Sequence, residues 1–254
     1  MGKLLKIALG ILLLAGVAAF VLFFAFTRYD ESSLTSNYNF GIALTTDSKL
    51  ENPIFIVPMP VLGNETMLVD VAIKESEAKS DGWNLNIIET EFGKMLRISA
   101  KEFVPEVQEE VELQPGSDIP TGNSISFVRG YKDVSVSMAS GHTIDTINAT
   151  ENEPLLSQKF NLTPAHNDKE ASSRKTLNYD SLIYADYKSS PNATVEVFVE
   201  LSGRNEWWAG GSGFNIYHER MGTTFTGEKH GWFSVIGELA QGDGMNLPAS
   251  SPLS

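Results

Sequence analysis

The sequence predicts an all-β fold, an antiparallel β-sandwich exported domain preceded by one N-terminal transmembrane helix. Apolar residues alternate with polar ones in many short stretches, and turn residues such as Gly, Pro, Asn and Ser separate these stretches. An unbroken apolar run begins at Ile7 and ends at Phe26. The chain has 254 residues and is 42% hydrophobic, so it is long enough for one large folded domain or two small ones.

The apolar run over 7–26 is predicted to be a membrane anchor. It contains no charged residue and no proline, and as a helix it would be about 30 Å long, the thickness of the hydrocarbon core of a bilayer. A cleavable signal peptide would have a shorter apolar stretch of about 7–15 residues, which favours an uncleaved anchor. Because Lys3 and Lys6 precede the run, the positive-inside rule predicts a cytoplasmic tail at 1–6 and an extracytoplasmic remainder.

The charge and the composition exclude several classes of function. The formal net charge is −13, so a nucleic-acid partner held by phosphate contacts is not expected. All 32 acidic residues follow the anchor, and a domain this acidic is repelled by anionic lipid head groups. Cys is absent, which excludes a disulfide framework, a thiolate zinc site and a cysteine nucleophile.

The region after the anchor is predicted to consist of a short stalk, a folded domain and a tail. Residues 27–36 are polar and are predicted to form the stalk, and 37–240 are predicted to form the extracytoplasmic β-sandwich domain. The stretch 140–175 is poor in large apolar residues, so it is predicted to be a long loop and, if two domains exist, the boundary between them. Residues 241–254 are predicted to be disordered. No helix is predicted after the anchor.

Period-two alternation of apolar residues predicts the individual strands. The clearest pair lies at 182–188 and 194–201, and the turn between them predicts a β-hairpin. Pro53, Pro58 and Pro60, around the stretch 54–61, indicate an edge strand or a bulged one, since Pro cannot donate to a strand ladder. Further strands are predicted at 38–44, 69–73, 83–87, 134–138, 214–219 and 232–239.

The stretch 203–232 is the strongest candidate for a binding site, because it holds three of the four Trp and two of the four His residues. Exposed Trp side chains beside Asn and Arg could stack on sugar rings while the polar groups bind hydroxyls. The alternative is that the Trp residues close the end of a sandwich and that Arg204 pairs locally with Glu206, since large aromatic residues dominate cores. The predicted binding residues are Arg204, Asn205, Trp207, Trp208 and Trp232.

The sequence predicts no catalytic residue, no metal and no other cofactor. His218 and His230 are the candidates for metal ligands, but the adjacent strand residues His218 and Glu219 point to opposite faces of a sheet. The chain has no Gly-x-Ser-x-Gly motif, no phosphate-binding loop and no calcium-loop pattern. A glycosidase needs two carboxylates about 5–9 Å apart in a cleft, a spacing that a sequence does not give. An enzyme is therefore not predicted.

Several short segments resemble uncharacterised membrane-anchored surface proteins of methanogen-type archaea. The segments are Thr-Thr-Asp-Ser at 45–48, Val-Pro-Met-Pro-Val at 57–61, Gly-Arg-Asn-Glu-Trp-Trp at 203–208 and Thr-Gly-Glu-Lys-His-Gly-Trp at 226–232. The resemblance implies an archaeal cell-surface setting. It implies no activity, cofactor or catalytic residue.

The predicted function is a structural or binding role at the cell envelope, with the membrane contacted through 7–26 and an envelope glycan or a membrane protein as partner. A first alternative is an accessory subunit of a membrane complex, because Gly10, Ala15, Gly16 and Ala19 form a small-residue face suited to helix packing. A second alternative is an envelope glycan hydrolase that acts through carboxylates near the Trp-rich stretch.

Overall fold

The computed structural model describes residues 13–18, 20, 30–63, 65–79, 82–108, 127–157, 159–165, 174–209 and 211–247. Residues 13–18 and 20 are helical, and the rest of the predicted anchor and the tail at 1–6 lie outside the described residues. Within the described ranges, no helix is long and apolar enough to cross a membrane.

Most of the described residues form β-strands, and all of the strand pairings among them are antiparallel, which confirms the mainly β antiparallel part of the fold prediction. The elements in chain order are β1 (Asp30–Thr46), β2 (Leu50–Val57), β3 (Pro60–Val61), α1 (Met67–Lys79), β4 (Trp83–Thr90), β5 (Gly93–Ala100), β6 (Glu102–Phe103), β7 (Glu106–Gln108), β8 (Phe127–Ala139), α2 (Ala149–Asn152), β9 (Leu155–Leu156), β10 (Phe160–Pro164), β11 (Lys175–Lys188), β12 (Thr194–Trp208), β13 (Ser212–Thr226) and β14 (Lys229–Gly244).

Twelve of these strands form one curled sheet. Its main path has the order β4-β5-β2-β11-β14-β13-β12-β1-β8-β7, with β10 beside β11 and β6 beside β2, and β3 and β9 form a separate pair. Strands β12, β13 and β14 are successive neighbours while β11 lies beside β14, which is the order of a Greek key. Strands β13 and β14 pair from Asn215 to Met221, and their ladder does not continue beyond Met221 towards the connecting turn.

One face of the curled sheet is buried. Every second residue of β1 is buried from Ser36 to Thr46, and β12 has the same alternation. Most of the buried apolar side chains of the long strands form a single cluster, to which α1 adds Leu68 and the predicted loop adds Ile144 and Leu156. The first part of the predicted loop therefore packs on the same core as the sheet.

The strands predicted at 182–188 and 194–201 are present, but the predicted hairpin between them is wrong. Strand β11 pairs with β2 and β14, whereas β12 pairs with β1 and β13. Their five-residue connection is an arch, which is held by a hydrogen bond from the Gly227 N–H to the Ala193 carbonyl at 2.8 Å. Alternation with a period of two identifies a strand and its buried face, but it does not identify the strand that pairs with it.

The strand predicted at 69–73 is also wrong, because this segment belongs to helix α1. Leu68, Val69 and Ala72 are buried together, which is the spacing of one helix face rather than of a strand. The Thr66 carbonyl accepts the Val69 N–H at 2.9 Å and begins the first turn. Apolar residues at 69, 71 and 73 do alternate with polar or small ones, but three such positions also occur by chance in a helix, so this short pattern does not identify a strand.

Two of the predicted boundaries also differ from the structure. Strand β1 begins at Asp30, so residues 30–36 of the predicted stalk belong to the sheet, where they lie beside β12. Strand β14 continues to Gly244, into the predicted disordered tail, and the tail beyond 247 lies outside the described residues. Both strands are longer than predicted because their end residues have hydrogen-bonding partners on neighbouring strands.

The proline-containing strand β2 is bulged rather than at an edge. It lies between β5 and β11, and its register against β11 shifts between Asp186 and Lys188. Asn52 has a φ of 49°, a left-handed conformation that Asn adopts more readily than most residues. Pro53 follows directly, where the irregular ladder makes a missing N–H donor acceptable.

Large aromatic side chains lie over glycines of the neighbouring strand at several places in the sheet. A Cβ atom on Gly203 would lie 2.2 Å from the Tyr217 ring, and one on Gly237 would lie 2.2 Å from the Tyr179 ring. Glycine is required at these positions because the buried rings occupy the space that a side chain would fill. The directly opposed pairs are Gly203 with Tyr217, Gly213 with Trp207 and Gly237 with Tyr179.

Gly203→Ala is expected to lower the free energy of unfolding by about 1–3 kcal/mol, because the added methyl group overlaps the fully buried Tyr217 ring. Urea unfolding of the full-length protein measures the change. Gly141→Ala is the matched control, since a Cβ atom there meets nothing within 4 Å. Equal stability of the two variants would mean that the Tyr217 ring moves aside freely and that glycine is not required at position 203.

Candidate functional site

A cavity of about 240 Å³ lies where β1 and β8 meet helix α1 and the loop after β8, and we call it the Tyr38 cavity. Its polar lining groups are Tyr38, Glu65 and His142, which come from three separate parts of the chain. The remaining walls are apolar and are formed by Pro60, Leu62, Leu68, Met138 and Pro154.

Strand pairing and the first turn of α1 position the walls of the Tyr38 cavity. Tyr38 lies on the buried face of β1, directly opposite Met138 of β8. Leu68 is in the first turn of α1, and its burial fixes the side of the helix that faces the sheet. Tyr38 and Leu68 are therefore held in the walls by regular elements in which their own side chains are buried.

A buried carboxylate, that of Glu153, lies behind Tyr38. The Tyr38 hydroxyl donates a hydrogen bond to Glu153 Oε2, and the Asp145 N–H donates one to Glu153 Oε1 at 2.6 Å. His142 Nε2 lies 3.6 Å from Glu153 Oε2 and 3.4 Å from the Tyr38 hydroxyl. Only 2% of the Glu153 side chain is exposed, against 59% of the His142 side chain, so His142 forms the solvent side of the group.

The loop that carries His142 and Glu153 is held by Asp145. The Asp145 carboxylate accepts hydrogen bonds from the N–H groups of Ile147 and Asn148, at 3.2 and 2.9 Å. Partial burial works against ionisation of Asp145, but these hydrogen bonds outweigh it and keep the pKa of its carboxyl below the usual range. The loop therefore has a fixed charge-assisted anchor at neutral pH.

Burial raises the pKa of the Tyr38 phenol well above its usual value, and the hydrogen bond to Glu153 raises it further. The phenol is therefore protonated at neutral pH. Since its hydrogen is directed to Glu153, its oxygen is left to accept a hydrogen bond. The polar end of the Tyr38 cavity thus has the character of an acceptor.

A second buried polar group surrounds Asn205. Its side-chain amide accepts hydrogen bonds from the Ser36 hydroxyl at 2.6 Å and the Ile144 N–H at 3.0 Å. It donates to the Ile144 carbonyl at 2.9 Å and to Asn215 Oδ1 at 2.7 Å. Asn205 therefore connects β1, β12 and β13 with the loop that carries His142.

A third buried polar group is the ion pair between Lys159 and Glu219. Lys159 Nζ lies 2.8 Å from Glu219 Oε1, and the Glu219 side chain is fully buried. The Leu156 N–H donates to Glu219 Oε2 at 2.8 Å, and Lys159 also donates to the Leu156 carbonyl. Burial raises the pKa of Glu219, although the Lys159 charge opposes this. The pair fixes the segment before β10 to the inner face of β13.

The structure separates the predicted binding residues. Asn205 and Trp207 are buried, whereas 49% of Trp208 is exposed. Arg204 forms an ion pair with Glu206 at 2.6 Å, which confirms the predicted local pairing, and its guanidinium lies over the Phe214 ring. Arg204 and Trp208 are on the exposed side of β12, away from the Tyr38 cavity, and their binding role stays a prediction.

Trp232 lies in a separate aromatic group on the outer face of the sheet. Its ring makes edge contacts with Tyr184 and Phe92, with centroids 5.3 and 5.1 Å away. It pairs with Tyr184 near the start of β14, whereas the Trp207 end of the sheet lies beside the opposite end of β14. The structure therefore does not bring Trp232 together with the other predicted residues.

The two predicted metal-ligand candidates are also apart. His218 is on β13 opposite Ala240, whereas His230 is opposite Asp186, with its Nδ1 atom 3.1 Å from the Asp186 carboxylate. Burial lowers the pKa of His218. Among the described residues, no group of three or more His, Asp and Glu side chains is arranged to hold a metal ion.

Known protein families, curated proteins and solved structures were compared with this chain, and none of them matches it.

Tyr38, His142 and Glu153 are not predicted as a group from the sequence. Tyr38 is 104 residues from His142 and 115 from Glu153, and its place in an alternating strand indicates a core residue. The available signal was the long polar loop itself, because loops on a rigid scaffold carry binding residues more often than strands do.

Proposed function

We propose that this protein is a single-pass, membrane-anchored protein whose extracytoplasmic β-sandwich domain has a binding role at the cell envelope. A sandwich is supported by the curl of the sheet, by its buried face and by the end of the pairing between β13 and β14 at Met221. Anchoring through 7–26 is supported by the length of the apolar run and by Lys3 and Lys6 before it.

The observation that carries the binding role is the Tyr38 cavity. It combines apolar walls with a small number of convergent polar groups, which is the general composition of small-ligand sites. Its volume suits a small molecule rather than a polymer. We therefore propose that the domain holds a small ligand at this position, with an envelope glycan or a membrane protein as an additional partner of the exposed surface.

Mass spectrometry of the full-length protein from mildly solubilised membranes tests this proposal. The protein is expected to carry a small bound molecule, and Leu62→Trp at the cavity rim should abolish its retention. Leu162→Trp on β10 is the matched control, since Leu162 is similarly exposed and does not line the cavity. Retention in both variants would place the ligand elsewhere, and a stoichiometric membrane protein as the sole companion would favour the accessory-subunit alternative.

The orientation is tested separately. Protease added outside intact cells is expected to remove the domain after residue 30, because the positive-inside rule puts this part of the chain outside. Disrupted cells treated in the same way provide the control for intrinsic cleavage. If the domain were protected in intact cells and cleaved only after disruption, the proposed orientation would be wrong.

A further inference from the structure

We infer that the Tyr38 cavity binds a small organic ammonium ion, with its apolar part against the cavity walls and its N–H groups at the Tyr38 end. The inference deepens the proposed binding role and rests on it. It follows from the walls of the cavity, from the acceptor character of its polar end and from the charges around it.

The walls select an apolar group of limited size. Five of the eight residues that line the cavity are Pro, Leu or Met, so most of the surface offers no hydrogen bond. A ligand buried here gains free energy mainly by removing apolar carbon from water. The volume of about 240 Å³ suits a short alkyl chain or a single ring.

The polar end selects a hydrogen-bond donor. The Tyr38 hydroxyl gives its hydrogen to Glu153, so its oxygen acts towards a ligand as an acceptor, with Ser140 and, at 3.4 Å, His142 Nε2 beside it. The carboxylate of Glu65, at the rim of the cavity, likewise only accepts when it is ionised. An ammonium group donates without accepting, so it can donate a hydrogen bond to either of these groups.

The charges select a cation. Glu153 is buried directly behind Tyr38, and in the described part of the chain its ion-pair partner is His142, which is charged only when protonated. None of the described residues that line the cavity is Lys or Arg. A negative charge in a site of low dielectric attracts a cation more strongly than it would in water. The carboxylates of Glu65, in the lining, and of Glu153, behind Tyr38, therefore favour a cation over an anion or a neutral ligand in the cavity.

Calorimetric titration of the full-length protein in lipid nanodiscs tests the inference, with cyclohexylammonium and its uncharged counterpart cyclohexanol as probes. Cyclohexylammonium is expected to bind about tenfold more tightly or better. Glu153→Gln keeps the size of the side chain and removes its charge, and it should reduce this preference to about twofold or less. Glu65→Gln should weaken the binding of cyclohexylammonium and leave the binding of cyclohexanol unchanged. Because Glu65 is exposed at the rim, this variant tests the effect of charge without altering a buried residue.

Glu102→Gln is the matched control, because it removes the same charge from an exposed ion pair with Lys49 and should leave both affinities unchanged. Equal binding of the two probes, unaffected by Glu153→Gln and Glu65→Gln, would overturn the ammonium inference while leaving a binding cavity. If neither probe bound, and Leu62→Trp still abolished retention of a native ligand, the inference alone would be wrong. If neither probe bound and no native ligand were retained, both the ammonium inference and the proposed binding role would be wrong.

Discussion

Lys159→Met is expected to lower the free energy of unfolding by about 3–5 kcal/mol, because it leaves the Glu219 carboxylate buried without a counter-ion. Lys159 Nζ is 2.8 Å from this carboxylate, and only 11% of the Lys159 side chain is exposed. Water cannot replace the lost ammonium group at a fully buried site without rearrangement of the segment before β10. Urea unfolding of the full-length protein measures the difference.

The pH dependence of the same variant identifies the cause. Burial raises the pKa of Glu219, and removal of the Lys159 charge raises it further. Between the pKa of the unfolded chain and the raised pKa of the folded one, the folded protein holds a proton that the unfolded chain has released. Stability therefore falls as the pH rises through this range. The deficit of Lys159→Met should be smaller at about pH 5 than at about pH 8.

Two further variants act as controls for this prediction. Adding Glu219→Gln to Lys159→Met should recover much of the stability and remove the additional pH dependence, since no buried charge remains. Lys49→Met breaks the exposed pair with Glu102 and should leave unfolding nearly unchanged. A Lys159→Met protein as stable as the parent at both pH values would mean that the pair contributes nothing to the fold.

The sequence predicts strands better than it predicts their partners, for a physical reason. Alternation of apolar residues is a local property, since in a half-buried strand the polarity of each residue indicates whether its side chain is on the buried or the exposed face. The strands on either side of an arch, such as β11 and β12, show the same alternation as the strands of a hairpin, because in both cases each strand buries one face. The pairing depends on how the whole sheet curls, and no short stretch of sequence contains that information.

The candidate site was predicted less well than the fold, and the Trp-rich stretch shows why. Its aromatic and glycine residues are numerous because Trp207 and Tyr217 lie over Gly213 and Gly203 of the neighbouring strand. Packing therefore accounts for much of the density that the sequence analysis interpreted as a binding site. The Tyr38 cavity gives no comparable local signal, because its groups come from separate elements that meet only in the folded protein.

Asn205, one of the predicted binding residues, could either stabilise the fold through its hydrogen bonds or contact a ligand directly, and a substitution distinguishes the two roles. Asn205→Ala is expected to lower the free energy of unfolding by about 3 kcal/mol. The change removes four hydrogen bonds and leaves groups of Ser36, Ile144 and Asn215 without these partners in a buried site. Asn84→Ala, at an exposed position of β4, is the matched control and should change stability by less than about 0.5 kcal/mol.

Amide hydrogen exchange separates the two roles of Asn205. The Ile144 N–H donates to the Asn205 side chain, so in Asn205→Ala it should exchange much faster under conditions where the sheet remains folded. The same loop carries His142 and Glu153, and its release should therefore also weaken cyclohexylammonium binding at the Tyr38 cavity, which Asn205 does not line. Unchanged stability and unchanged exchange at Ile144, together with lost binding of a surface ligand, would instead return Asn205 to the direct binding role that the sequence predicts.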